Sequence, residues 1–330
     1  MFYSVQALRF LAAMAVAQFH CWPLPSTIQL GAAGVDVFFV ISGLVIGLTK
    51  PNESAYLFLI KRLIRIFPLY WIGTAITVAF PYYEWGAETL PDWNSLWTSF
   101  FLFPNTTADW HPIYFAAWTL VFELFFYISY SIVLFLTKGR FTKIICIALL
   151  LVVANTSLLG GYTGLLIEFC YGLVASKLVT RKLFMPPAAS VFCIGLALLA
   201  FACFYGTIVW PALPRQIVWG IPSFFVVYGA LSFENAPLFR NLFLRAGGEA
   251  SYAIYLVHVT IGAIVVEYCK IINMEIEKIP FSIMIISVII TTISGFALHV
   301  LVEKPILSLL RNILLPRDSR DAQPLVATAT

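Results

Sequence analysis

The chain has 330 residues, of which 61% are hydrophobic and 11% charged, with a mean hydropathy of +0.92 and a formal net charge of +4. A water-facing surface needs roughly 25% charged residues, so soluble globular and disordered classes are excluded, and so small a positive balance argues against nucleic acid as a partner. The six cysteines are scattered, with neither metal-ligand spacing nor a disulfide framework, and read as small buried hydrophobes.

Apolar runs recur along the whole chain, which predicts an all-α, polytopic integral membrane protein of about ten transmembrane helices. In chain order the expected spans are 5–22, 35–49, 66–83, 114–136, 144–160, 163–176, 188–207, 217–233, 251–268 and 281–302. The first lacks a small-residue cleavage site and reads as a retained span, not a signal peptide. The second and sixth are short, so either is tilted, broken or partly re-entrant. Residues 93–104 are apolar but too short to cross, which predicts a re-entrant or interfacial segment. A cytoplasmic N-terminus puts most of the twenty lysines and arginines on the inner side and leaves Arg215, Lys270 and Lys278 outside. That bias predicts cytoplasmic N- and C-termini. Residues 1–310 then form one transmembrane domain, and 311–330 a short polar tail without fixed structure.

The longest outer loop carries Glu84, Glu88, Asp92, Asp109 and His111 with Trp85, Trp93, Trp97 and Trp110. Such a loop either stacks and hydrogen-bonds a sugar or forms an aromatic belt at the interface.

An ionisable side chain at membrane depth costs about 2.5–3.5 kcal/mol on insertion scales, so each needs a partner or a task. Arg9 and His20 lie eleven residues apart, which puts them about 20° apart around one helix and about 16 Å apart along it. They form one polar stripe, facing either a cavity or, at its ends, the interface. Asp36 opens the second span at the depth of His20, where a carboxylate either orients the imidazole or caps the helix. Glu123 stands one turn before Tyr127 in the fourth span. Tyr255 and His258 stack one turn apart in the ninth, after Ser251. Near the third span Arg62 and Arg65 share one helix face, a geometry that suits either a multiply phosphorylated ligand or anionic lipid. No residue set reads as a metal site.

These residues together resemble the acyltransferase 3 family of bacterial membrane acyltransferases, and the resemblance covers nearly the whole chain. Arg9 and His20 match the family's arginine, ten residues, histidine signature, and Gly34–Gly43 its second-helix motif. Arg62-Leu63-Ile64-Arg65 is similar to its cytoplasmic arginine pair. Trp118 to Glu123 followed by Tyr127, Ser251 to His258, and Glu303-Lys304-Pro305 resemble later blocks. The resemblance implies acetyl or similar short acyl transfer from cytosolic acyl-CoA, a co-substrate and not a bound cofactor, to a hydroxyl of an exopolysaccharide or lipid-linked glycan. It implies His20 as the general base, with Asp36 and Glu123 in the catalytic set. Arg9, Arg62 and Arg65 fall to the donor, and Trp118, Tyr127, Ser251, Tyr255 and His258 to supporting positions. It also implies a multi-pass protein of the bacterial inner membrane, in contact with lipid and with polysaccharide-assembly proteins. Larger members carry a C-terminal hydrolase-like domain, and after Pro316 only a few polar residues follow here, so the chain is expected to act alone or with a separate soluble partner. Two other classes fit the same polar interior: a transporter or flippase of lipid-linked glycan, and a non-catalytic assembly subunit.

Overall fold

The computed structural model describes residues 2–21, 29, 31–49, 53–85, 90–104, 112–181, 188–209, 213–274 and 280–316. Glu88, Asp109, Trp110, His111, Lys50, Lys182, Lys278 and the tail after Pro316, as well as the side chains of Glu84 and Trp85, lie outside the described residues. Within them the protein is helical throughout and has no strand.

The helices are α1 (Tyr3–Cys21), α2 (Gly34–Gly47), α3 (Ala55–Trp85), α4 (Trp93–Phe101), α5 (Trp118–Thr137), α6 (Thr142–Ala154), α7 (Leu166–Arg181), α8 (Ala188–Val209), α9 (Ile221–Ala230), α10 (Leu242–Ile271), α11 (Phe281–Leu298) and α12 (Lys304–Leu314). Wider π turns, Gln216–Gly220 and His299–Glu303, precede α9 and α12. Among the described residues five stretches are long and apolar enough to cross a membrane: Phe115–Thr137, Thr163–Thr180, Gln216–Phe233, Leu242–Ile271 and Phe281–Leu314. Shorter apolar helices occupy Gly34–Gly47, Thr142–Ala154 and Ala189–Tyr205.

Three boundaries differ from the sequence expectation. The third helix starts at Ala55, so Lys61, Arg62 and Arg65 stand inside it and not in a loop before residue 66. The ninth expected span belongs to a helix that starts at Leu242, nine residues before Ser251. The last expected span runs on through the π turn to Leu314, across the expected domain limit at residue 310. Hydropathy marks where apolar side chains begin, whereas lysine and arginine are good helix formers and extend the helix beyond that point. Pro305 does not stop the last helix because it occupies the first turn of α12, where a missing N–H costs no hydrogen bond.

The surface chemistry of α11 is inverted relative to a soluble helix. Ile285, Ile286, Ile289, Ile290 and Ile293 are exposed, while Met284, Ser287, Thr291 and Gly295 are buried. Large apolar groups outside and small or polar groups inside is the pattern lipid demands. The protein is a multi-pass membrane protein.

The chain divides into two compact units, one of Met1–Lys50 and Ile167–Leu298, the other of Pro51–Leu166 and His299–Ala322. In the first, α1 lies against α2, α9, α10 and α11, and α8 against α9. The α1 N-terminus is capped by Glu234, whose carboxylate accepts from Tyr3 N at 2.5 Å, Ser4 N at 3.0 Å and Ser4 Oγ at 2.8 Å. Close approach of α2 and α7 depends on glycine. A Cβ on Gly43 would sit 2.2 Å from the Phe169 carbonyl oxygen, and one on Gly172 2.1 Å from that of Val40. In the second unit α3 lies against α5 and α12, and α5 against α6. There the short α4, with exposed Trp93 and Trp97, is tied to α3 by Tyr70 Oη donating to Ser99 O at 2.5 Å and Trp71 Nε1 to Phe100 O at 2.9 Å.

Candidate active site

In the first unit the register of α1 on α10 places the polar stripe. A Cβ on Gly248 would meet Gln6 O at 2.4 Å, and one on Gly262 would meet His20 O at 3.6 Å. Fourteen residues separate the contact points on each helix, so α1 and α10 run parallel and in step. His258, one turn before Gly262, is thereby brought beside His20: their ring centroids are 5.0 Å apart and inclined by 42°. His20 is exposed at the end of α1, while His258 is buried with 1% of its surface accessible. His258 Nδ1 bonds the Tyr255 carbonyl, and the two rings lie 5.2 Å apart. The Tyr255 ring in turn meets Phe38 edge-on, and Ser251 Oγ donates to Gly248 O at 2.8 Å. Arg9 is half-buried in α1.

Asp36 neither caps α2, whose N-cap position is Ala33, nor stands open to a ligand. It is fully buried, and both oxygens are held by one guanidinium: Arg215 Nε donates to Oδ1 at 3.0 Å and Nη2 to Oδ2 at 2.7 Å. The same Nη2 donates to Ala32 O at 2.9 Å, and the guanidinium lies 4.4 Å above the Trp219 ring. This fork is the strong geometry for a carboxylate in a low-dielectric place. Glu168, fully buried on α7, is near enough to feel both Asp36 and Arg215, and its side chain packs at the backbone of Gly220. Two buried carboxyl groups and one half-buried guanidinium therefore lie close together in the first unit.

The second unit holds a different set. Tyr127 Oη donates to Glu123 one turn earlier on α5, and Trp118 at the head of that helix packs against Phe122 and Tyr162. Arg62, its guanidinium 4.7 Å above Phe58, senses the charges of Glu53, Glu123 and Arg65. Arg311 on α12 senses Arg65 and Glu303. Each of these three carboxylates has another partner: Glu53 accepts from Lys61 at 2.8 Å, Glu123 from Tyr127, and Glu303 pairs with His299 Nδ1 at 2.6 Å. Among the described residues no carboxylate is within ion-pairing distance of Arg62, Arg65 or Arg311. Uncompensated guanidinium groups of this kind suit a phosphorylated ligand.

The model of an acyltransferase domain, that of the acyltransferase 3 family, matches residues 2–300. The chain belongs to that family. It is also similar to the exopolysaccharide production protein ExoZ of Rhizobium meliloti, at 29% identity over 296 residues, which cover 84% of this chain and 90% of the relative. No solved structure matches it. For an acyltransferase the two units carry separable resources: a histidine pair in one, and in the other arginines with no ion-pair partner among the described residues. The sequence reading placed His20, Asp36, Arg9, Ser251, Tyr255 and His258 in the site, and these fall in the first unit. Arg62, Arg65, Trp118, Glu123 and Tyr127 fall in the second.

Four polar residues escaped that reading. Arg215 looked like an outer-loop charge between Pro214 and Gln216, and nothing local marks it as the partner of Asp36. Glu168 was legible: it interrupts the apolar run from Leu165 to Cys170, and the rule that singled out Glu123 applies equally to it. His299, four residues before Glu303, and Arg311 on α12 carry the same kind of signal. Among the described residues no group of three or more His, Cys, Asp or Glu forms a metal cluster.

Proposed function

We propose that the protein is an O-acyltransferase that moves an acetyl or similar short acyl group from cytosolic acyl-CoA to a hydroxyl of an exopolysaccharide or lipid-linked glycan, with His20 as general base. The name of the similar ExoZ protein supports a polysaccharide acceptor. In this reading the chain crosses the bacterial inner membrane about ten times with both termini cytoplasmic, as the positive-inside bias favours. Residues 1–310 work as one acyltransferase domain. Polysaccharide-assembly proteins are its neighbours.

The observation that carries the reading is the placement of His20, an exposed imidazole at the end of α1 packed against a second, buried imidazole. A ring nitrogen of His20 takes the proton of the acceptor hydroxyl as the oxygen attacks the thioester carbonyl. The carbon–oxygen bond forms, the carbon–sulfur bond breaks, and the proton passes from His20 to the departing thiolate, giving the ester and free thiol. Arg62 and Arg65 hold the anionic phosphates of the donor, a role their lack of carboxylate partners supports. With Asp36 occupied by Arg215, its part is to fix α2 to the turn that leads into α9 and not to bind substrate.

His20→Ala tests this. Positioned base catalysis contributes about 10²–10⁴-fold, so transfer of labelled acetyl from acetyl-CoA to lipid-linked oligosaccharide in membrane vesicles should fall by that factor at unchanged protein level. Undiminished transfer by His20→Ala would remove the assignment, and transport of glycan without acyl transfer would replace it with a flippase.

A further inference from the structure

We infer that His258 is a positioning residue for His20: its Nε2 lone pair accepts the hydrogen on one His20 ring nitrogen and leaves the other His20 nitrogen bare as the base. The inference deepens the acyltransferase reading above and rests on it.

The tautomer of His258 follows from its bond to the helix backbone. Its Nδ1 bonds the carbonyl oxygen of Tyr255. A carbonyl oxygen accepts only, so in the neutral ring Nδ1 carries the hydrogen and Nε2 carries the lone pair. That Nε2 is buried and has no hydrogen-bond partner, although buried polar atoms are nearly always paired. The tautomer is therefore set by the helix backbone, and the free acceptor is left for something beside it.

What stands beside it is His20. The parallel, in-step packing of α1 on α10 brings the two rings to a centroid separation of 5.0 Å. His258 is held by its backbone bond, and the χ2 torsion of a histidine such as His20 is of the soft, broad kind. Two imidazole rings at this centroid separation are close enough for nitrogens that face each other to share a hydrogen.

The usual orienting group for a catalytic imidazole is a carboxylate, and the carboxylates expected for that task are committed elsewhere. Asp36 is held at both oxygens by Arg215, and Glu123 accepts from Tyr127. A neutral imidazole does the same work without placing an uncompensated charge among Tyr255, Phe38 and the apolar flank of α10. When His20 takes the hydroxyl proton, the hydrogen it shares with His258 Nε2 stays between the rings, and the positive charge is spread over the pair until the thiolate leaves with the proton.

The chain has four histidines, His20, His111, His258 and His299, so nitrogen NMR of the full-length protein, labelled at histidine and reconstituted in lipid, reads each imidazole. His258 should show a protonated Nδ1 and a hydrogen-bonded, unprotonated Nε2, and in His20→Phe that Nε2 resonance should move to the position of a free imine nitrogen. A His258 Nε2 resonance unmoved by His20→Phe overturns the inference, whatever becomes of activity. Acetyl transfer supplies the second arm. His258→Asn keeps a donor for Tyr255 O but has no atom at the reach of Nε2, whereas His258→Gln offers an acceptor there. Transfer should fall about 10²-fold or more in kcat in His258→Asn and be restored to within about tenfold of wild type in His258→Gln. An Asn variant as active as the Gln variant means that only the backbone bond matters. Loss of the NMR coupling sinks the positioning role alone, while full activity of His20→Ala sinks the reaction; the two failures are distinguishable.

Discussion

Arg215 and Arg62 are both half-buried guanidinium groups on helical backbone in an apolar chain, yet they are used in opposite ways. Arg215 closes a fork on Asp36, donates to Ala32 and stacks on Trp219. Arg62 lies over Phe58, with Arg65 for a neighbour, and no described carboxylate is within ion-pairing distance of it. A guanidinium whose charge is already met by a bidentate carboxylate of its own protein has little left to offer an anionic ligand, so it fixes helices. A guanidinium whose carboxylate neighbours are already committed keeps its charge for something outside the chain. In the proposed reading the first unit commits Asp36 and Arg215 to holding its helices and keeps its histidine pair for chemistry, while the second keeps Arg62 and Arg65 for the donor.

The largest effect that tests this contrast is on stability. Arg215→Met leaves the buried Asp36 carboxyl without its partner, with Glu168 near it, and should destabilise the protein by about 3–5 kcal/mol. Thermal unfolding in detergent reads it. The double variant Asp36→Leu, Arg215→Met should recover most of that loss, since an ion pair replaced by apolar groups of similar volume is often neutral. A double variant no more stable than the single one would mean that the pair does more than hold α2.

A smaller effect, read in a different measurement, is expected from the second unit. Arg62→Ala or Arg65→Ala removes a charged hydrogen-bonding group worth about 1.5–3 kcal/mol to a bound phosphate, so the KM for acetyl-CoA should rise by roughly ten- to a hundredfold. Melting should shift little, because no described carboxylate is abandoned. If either substitution lowers melting as Arg215→Met does and leaves KM unchanged, the arginines are structural or lipid-bound and the contrast fails.

How far the sequence discloses this division depends on the range of the interactions. Helical character and membrane residence are legible because each apolar run declares them locally, as the exposed isoleucines of α11 confirm. His20 and His258 are legible as unusual residues, but their adjacency is not, since 238 positions separate them and only the register of α1 on α10 joins them. The same holds for Asp36 and Arg215, 179 residues apart. The Arg62/Arg65 spacing is legible as a face, while its freedom from carboxylates is not, because that depends on Lys61, Tyr127 and His299 claiming Glu53, Glu123 and Glu303 first. A hydropathy reading weighs each ionisable residue by its own surroundings, and so it grouped Asp36 with His20 by depth when the structure commits Asp36 to Arg215.

The smallest expected effect concerns an exposed carboxylate of the second unit, whose partners are its own helix start and not a guanidinium. Asp92 caps α4, accepting from Ser95 N at 3.0 Å and from Ser95 Oγ at 2.6 Å, and these bonds hold its carboxyl below the ordinary carboxylate range. Because the folded value is the lower one, the cap is present above the ordinary carboxylate value and is lost as pH falls through the lowered one. Protection of the Ser95 amide against hydrogen exchange should therefore decline on acidification in the native chain. It should be independent of pH in Asp92→Asn, which keeps a neutral acceptor, and absent at every pH in Asp92→Ala. Protection of the Ser95 amide as acid-labile in Asp92→Asn as in the native chain would mean that a group other than the Asp92 carboxylate holds the start of α4.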